Sequence, residues 1–407
     1  WNEEDTAFAS EPADVYAAFM KAMAIGVADA DVGSTTCIGG FAGGAHETTF
    51  MDLCMQNGLL DYTAAYNCHV YGAKTSQDIL PHTEFEEQES HLNLIYTYGD
   101  TYDTPMWVTE GGMSRQIPQG ADGMTWQGQK EAAMGVVIGM TQSVARGTAK
   151  HYWFILPPYT ETVNDFGAFS VNHEPYATYA AYANYIYQMR KGDYKGKLTN
   201  LPEGAEGHLF NNGDHDVAIV WSEKADTIIP VSAAPVKVAD MMGAEKTVQP
   251  GEKINISKYP VYIHFDGDAD LQNYLPTDRN IREITPQSFT RAQKVVMCQR
   301  FYGTNYNTPR TDGYEITGGG LDNKFELEVY NFNDTEITAE ITAQPETDGY
   351  IIDSAVQKIT VQPKSCGVLK YNIRTTDSVK YDVTEYLRFD GTVNGEKMSP
   401  SISRIIS

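Results

Sequence analysis

Through residues 1–190 the chain alternates two textures. Short apolar runs bounded by glycine or polar residues give way to longer stretches with helical periodicity. Residues 14–30 are rich in Ala and Met, and Val15, Phe19 and Met23 recur every fourth position, on one face of a helix. Residues 35–40 form a short apolar run that ends in glycines, which predicts a strand. The same reading predicts helices over 47–55, 84–99, 128–146 and 174–189, and strands over 61–71, 105–110 and 150–156. Strands and helices alternating at this spacing predict a parallel sheet with crossover helices.

The strand ends fall at Glu3, Gly39, Tyr71, Glu110 and Leu156, and Glu3 is only the tip of a strand. This count predicts the second half of an eight-stranded (β/α) barrel over residues 1–191: the tip of strand four, then strands five to eight with their helices. After residue 192 helical periodicity stops, and short alternating runs separated by Gly, Asn and Asp turns take over. We expect a β-sandwich over 192–268 and a second one over 269–407, with its clearest strands at 324–330, 336–343, 357–361 and 367–373. The expected class is therefore α/β plus all-β: the C-terminal half of a (β/α)8 barrel followed by two β-sandwich domains. Half a parallel sheet leaves an open edge and an uncovered face. An upstream half-barrel segment, in the same polypeptide or in a separate chain, is expected to complete it.

Composition narrows the function. The chain has 407 residues, 42% hydrophobic and 21% charged, which fits a soluble protein with more than one core. No apolar run approaches the roughly 20 residues of a membrane span. The formal net charge of −24 argues against nucleic acid and anionic membranes, and favours neutral or cationic ligands. The five cysteines form no CxxC pair and are odd in number, so neither a zinc site nor a full disulfide framework is expected. Cys37 and Cys68 read as small core residues. Residues 266–270 have the composition of a calcium loop but lack its glycine at the sixth position and its acid at the twelfth, so they read as a solvated turn. No metal or cofactor is expected.

Strand alternation sorts the candidate chemistry. In 66–72, Asn67, His69 and Tyr71 share one face, while Tyr66, Cys68 and Val70 share the other. In 106–110, Glu110 is expected on the face of Val108 and Met106, with Trp107 and Thr109 opposite. In 151–155, Trp153 shares its face with His151, and Phe154 points the other way. Three successive strands thereby bring His69, Tyr71, Glu110 and Trp153 toward one cavity. Ionisable groups at C-terminal strand ends mark the catalytic mouth of such barrels. Trp126, in a glycine-rich stretch after the Glu110 strand, is a further candidate for lining a subsite.

These residues resemble glycoside hydrolase clan A, whose barrels place an Asn-Glu pair at the end of strand four and a Glu at the end of strand seven. Trp1-Asn2-Glu3 is similar to that clan's acid/base motif, and Trp107-Val108-Thr109-Glu110-Gly111 to its nucleophile motif. The His69-x-Tyr71 pair, the Trp near the end of strand eight, and the run from Asp165 to Phe169 followed by Glu174-Pro175 fit the same pattern. The resemblance covers residues 1 to about 190. It implies a retaining hydrolase of β-linked oligosaccharides or polysaccharides, with Glu3 as acid/base and Glu110 as nucleophile. Asn2 would bond the sugar 2-hydroxyl, Tyr71 would donate to Glu110, His69 would shape the polar subsite, and Trp153 would face the sugar ring. Retaining chemistry implies carboxyl groups about 5–5.5 Å apart.

A second reading is a non-catalytic carbohydrate-binding or cell-surface assembly protein on a hydrolase scaffold. The presence of both glutamates favours the enzyme. In the last block no tryptophan follows Trp221, which leaves Tyr302, Tyr306 and Tyr314 as possible sugar platforms. A hydrolase of this modular build is expected to be secreted, periplasmic or on the cell surface.

Overall fold

The structure is a computed structural model. It describes residues 2–6, 8, 11–42, 48–71, 82–99, 103–189, 192–199, 201–224, 227–230, 235–249, 252–266, 274–275, 283–302 and 313–407. The first part of the chain folds, in order, as α1 (Ala13–Ala30), α2 (Thr48–Gln56), β1 (Tyr66–Tyr71), α3 (His82–Gly99), β2 (Met106–Gly112), β3 (Arg115–Gln116), α4 (Trp126–Ala145), β4 (Thr148–Trp153), β5 (Thr160–Glu161), β6 (Asn164–Asp165) and α5 (Ala177–Met189). The expected strand over 61–71 opens instead as a 3-10 turn, Leu59–Tyr62, behind Gly58 at φ 75°. The expected strand over 35–40 is reduced to isolated parallel bridges, Asn2 with Gly40 and Cys37 with Ala65.

The chain divides into two compact units that do not follow chain order. One gathers Trp1–Asn67, His91–Pro105 and Arg282–Ser407; the other gathers Cys68–Ser90 and Met106–Ile281. β1 and α3 each pass from one unit to the other.

The first unit is built on a sandwich of two sheets. One sheet orders its strands Val295–Phe301, Asn323–Asn331, Ser365–Thr375, Tyr350–Ile352. The other orders Tyr314–Glu315, Ser401–Ile406, Glu385–Val393, Ile337–Pro345, Val356–Val361. Along Asn323–Asn331 the residues Phe325, Leu327 and Val329 are buried while their neighbours are more exposed, the period-2 signature of a half-buried strand. They pack with Tyr371 and Ile373 of the neighbouring strand and with Ile341 and Phe389 of the other sheet. Tyr314 is buried here, stacked on Phe301 with ring centroids 4.2 Å apart, so it is no sugar platform. Tyr302 is exposed, and Tyr306 lies outside the described residues.

α1 buries four alanines together with Tyr16, Met20 and Lys21, on a face other than the expected one. Ala13, Ala17, Ala24 and Ile25 are buried, while Phe19 and Met23 of the expected apolar stripe are exposed. Small side chains let the helix approach the sandwich closely, where Ala18, Ala24 and Ile25 meet Tyr62, Val296 and Cys298. Polar contacts hold the same seam. Lys21 Nζ donates to Pro400 O at 3.1 Å, Tyr314 Oη donates to Asp14 Oδ2 at 3.3 Å, and Asn57 exchanges two bonds with the backbone of Ile402.

In the second unit the three-stranded sheet runs β1-β2-β4, with β2 and β4 parallel. A seven-stranded sheet follows, whose pairs are antiparallel: Glu245–Thr247, Pro235–Asp240, Val261–Phe265, Asp216–Ser222, Ala205–Asn211, Asp193–Leu198, Tyr274–Leu275. One face of it takes α4 and α5: Met134, Val137, Ala181 and Tyr185 pack on Phe210, Ile219, Trp221 and Tyr262. The other face, with Leu209, Ala218, Val220 and Ile263, is covered by Val248, Ile254 and Ile256. Among the described residues no helix is long and apolar enough to cross a membrane. Of the cysteines, Cys68 is buried and Cys37 half-buried.

Asp14 provides a pH test of the first unit. Burial pushes its carboxyl up from 3.8 to about 7, against the bonds it accepts from backbone and from Tyr314. The folded chain therefore keeps a proton that the unfolded chain releases between those values, so this contribution to stability is lost as pH rises across that window. The advantage of Asp14→Asn over the parent should grow by up to about 1.4 kcal/mol per pH unit between about pH 4 and 7. Urea unfolding at several pH values reads it, and a pH-independent difference would show that Asp14 is not held neutral.

Candidate active site

The second unit gathers a charged group at the C-terminal end of β2. The pairing of β2 with β4 shifts twice, between Met106 and Trp107 and again between Val108 and Gly111, where three steps along β2 match two along β4, a bulge. Gly111 faces the same way as Val108: a Cβ added to it would meet His151 Nε2 at 2.5 Å and Val108 Cγ1 at 3.0 Å. Thr109 and Glu110 are both left to face β1. The expected sharing of a face by Glu110 and Val108 is thus wrong, because the bulge resets the alternation.

β1 meets them with its polar face. Tyr71 Oη donates to Glu110 Oε2 at 2.6 Å. His69 Nδ1 lies 3.6 Å from the same oxygen, and His69 Nε2 is 3.1 Å from Thr109 Oγ1. His69 is buried, whereas the Glu110 side chain is 24% exposed, so the carboxylate is braced from one side and open on another. A short bond from a neutral hydroxyl to a carboxylate is charge-assisted and fixes the oxygen it reaches.

Rings wall the group. Tyr71 stands edge-on to Phe154 and Phe166, with centroids at 6.0 and 5.7 Å, and Phe154 stands edge-on to Tyr159 at 5.2 Å. Phe166 is placed by the small sheet of β3, β6 and β5, where Arg115 pairs with Asp165. Asp165 accepts from Gly167 N at 2.9 Å and Tyr176 Oη at 3.0 Å.

Of the expected site residues in this unit, His69, Tyr71 and Glu110 come together. Trp153 does not join them. It is buried against Met113 and Val136, beside α4. Its facemate His151 reaches Ser143 Oγ of α4 at 2.9 Å, and burial pushes that imidazole down to about 4. Phe154, the next residue, takes the place beside Tyr71. Trp126 is the first residue of α4, 63% exposed, behind an N-cap in which Thr125 Oγ1 accepts from Gly128 N at 3.0 Å. Thr109, Phe166 and Tyr159 are additions to the expected set. Strict alternation hid Thr109, and no local pattern tied the two rings to Tyr71.

Asn2 and Glu3 belong to the first unit. Asn2 is exposed and bridges Gly40. Glu3 is half-buried at φ 50°, and its carbonyl accepts from Thr6 N at 2.9 Å and Thr6 Oγ1 at 2.7 Å, which closes a turn. Glu4 is buried against Gly39, where an added Cβ would overlap its carboxylate. Burial raises the Glu4 carboxyl above the ordinary carboxylate range.

No family model matches the chain, and no curated protein matches it. Solved structures do. A family 39 glycoside hydrolase from the gut symbiont Bacteroides cellulosilyticus WH2 aligns over 65% of this chain and 56% of its own, with 19% identity and a TM-score of 0.48. A family 51 alpha-L-arabinofuranosidase from Bifidobacterium longum aligns over 65% of this chain and 66% of its own, with 11% identity and a TM-score of 0.42. A GH30 endoxylanase from Clostridium papyrosolvens C71 aligns over 61% of each chain, with 14% identity and a TM-score of 0.35. The chain spans little more than half the length of the first of these.

The close approach at Gly111 is open to test. Gly111→Ala should destabilise the protein by about 1–3 kcal/mol through the clash with His151. Adding His151→Ala should recover part of that loss. Thermal unfolding of the two single variants and the double variant measures it, and strictly additive effects would mean that Gly111 and His151 do not touch.

Proposed function

We propose that this chain is a retaining glycoside hydrolase acting on β-linked oligosaccharides or polysaccharides. Glu110 is the nucleophile, and Glu3 is the acid/base. The observation that supports it most is the brace on Glu110: Tyr71 Oη at 2.6 Å and His69 Nδ1 at 3.6 Å, both on Oε2, at the end of a strand parallel to β4. Such a brace leaves Oε1 for bond formation. Oε1 attacks the anomeric carbon, and the bond from that carbon to the leaving oxygen breaks as Glu3 protonates the oxygen. Glu3, now a carboxylate, takes a proton from water, whose oxygen attacks the same carbon and releases Glu110. Two inversions return the original configuration. Tyr71 steadies the negative charge of Glu110 before attack and after release. Asn2 bonds the 2-hydroxyl, His69 shapes the polar subsite, and the Phe154 and Phe166 rings hold water back.

The architecture in this proposal is residues 1–191 as the second half of a (β/α)8 barrel, then β-domains at 192–268 and 269–407. The parallel bridges at Gly40 and Ala65 and the parallel β2–β4 pair support it. The proposed setting is outside the cytoplasm or on the cell surface.

Incubation with a panel of 2-fluoro β-glycosides, followed by peptide mass mapping, tests the reading. A glycosyl ester is expected on Glu110, and Glu110→Gln should abolish both ester and turnover. Tyr71→Phe should lower turnover about 10²-fold while circular dichroism stays unchanged. Glycan binding that survives Glu110→Gln, with no ester from any sugar in the parent, would move the protein to the class of non-catalytic carbohydrate binders.

A further inference from the structure

The chain is strongly acidic, with a net charge of −24, yet one stretch of surface on the second unit inverts that sign. Trp126 opens α4 with its indole 63% exposed. Lys130 follows four residues later, on the same side of the helix. Its ammonium sits over the ring of Tyr259, 5.4 Å from the centroid, and Lys258 Nζ sits at the same distance from that ring. Gln127 Nε2 donates to Tyr259 Oη at 3.1 Å, which fixes the ring.

The local charges do not cancel. Glu131 is the carboxylate within this cluster, and it is already shared by Arg115 at 3.2 Å, Lys258 at 3.4 Å and Gln127 at 2.8 Å. Among the described residues Lys130 has no carboxylate partner. The surface thus offers two ammonium groups seated on one aromatic ring, beside an exposed indole. Flat aromatic faces take sugar rings, and ammonium groups take carboxylates.

We propose that Trp126, Lys130, Tyr259 and Lys258 form a binding surface for an acidic glycan. The Lys130 and Lys258 ammonium groups hold a uronate carboxylate, and a sugar ring of the same chain stacks on Trp126. A run of contacts joins this surface to the carboxylate at the end of β2: Lys258 to Glu131 to Arg115, Arg115 paired with Asp165, Phe166 against Tyr71, and Tyr71 on Glu110. That the surface serves the substrate of Glu110 rests on the proposed hydrolase reading. The binding itself does not.

The test is calorimetric titration of the full chain carrying Glu110→Gln, which separates binding from turnover. The probes are hexamers of β-1,4-mannuronate, β-1,4-glucuronate and α-1,4-galacturonate, each paired with its neutral counterpart. At least one uronate should bind about tenfold tighter than its neutral partner, and the preference should shrink as salt is raised. Lys130→Gln with Lys258→Gln should erase the preference, and Trp126→Ala should weaken both members of the pair. Equal affinity for acidic and neutral hexamers, or a preference that survives the double lysine variant, would overturn the proposal. So would binding of a single-stranded oligonucleotide in place of every uronate. Lysine-dependent uronate binding in a chain whose Glu110 is never glycosylated would sink the hydrolase reading and leave this surface standing.

Discussion

Everything gathered around Glu110 depends on how closely the ends of β2 and β4 approach. Gly111 and Gly112 carry no Cβ, and at both positions a Cβ would collide with β4 or the residue that follows it. Without that bulk, Phe154 N donates to Gly111 O at 2.8 Å and the strands stay locked past the bulge. The bulge then turns Thr109 and Glu110 together toward His69 and Tyr71. A 2.6 Å bond tolerates a displacement of only a few tenths of an ångström before it weakens. The glycines therefore set the position of the carboxylate, although neither touches it.

How much of this was legible in the sequence depends on which signal carried each element. Helices and strands with strong periodicity were readable: α1, α4 and β2 lie within a few residues of their expected places, because periods of 3.6 and 2 are strong local signals. The polar face of β1 was readable for the same reason, and it delivers His69 and Tyr71 to Glu110. The failures come from breaks in regularity. A bulge moved Glu110 off the face of Val108, and Trp153 turned out to face α4 with His151 rather than the rings. Phe166 and Tyr159 approach Tyr71 through tertiary packing, which leaves no trace in local spacing. The apolar stripe of α1 misled in another way. Hydrophobicity marked Phe19 and Met23, but the face that packs carries the alanines with Tyr16, Met20 and Ile25.

Two kinds of adhesion hold the molecule's units. In the second, α4 and α5 lie on a sheet through aliphatic and aromatic contact, with Trp221 and Tyr262 at the centre. In the first, α1 and α2 meet the sandwich through buried polar groups as well as apolar ones. A buried lysine donates to Pro400 O, a buried aspartate accepts from Tyr314 Oη, and an asparagine side chain reads the backbone of Ile402 like one more strand. Polar seams of this kind are costly when half-formed and specific when complete.

That seam joins residues far apart in the chain: Asp14 to Tyr314, Lys21 to Pro400 and Asn57 to Ile402. Asp14, Lys21 and Asn57 each have a partner in residues 313–407, with more than two hundred residues of the chain synthesised in between. At roughly 5–20 residues per second this is an interval of roughly 10–40 s. During it, α1 leaves the ribosome with its small-residue face uncovered and its buried lysine and aspartate still in water. The second unit, drawn largely from one continuous stretch, has no such wait. Synthesis thus imposes an order on assembly: the stretch that carries α1 is made well before its partners and waits for them, and a folding helper that shields α1 has its window between those two moments.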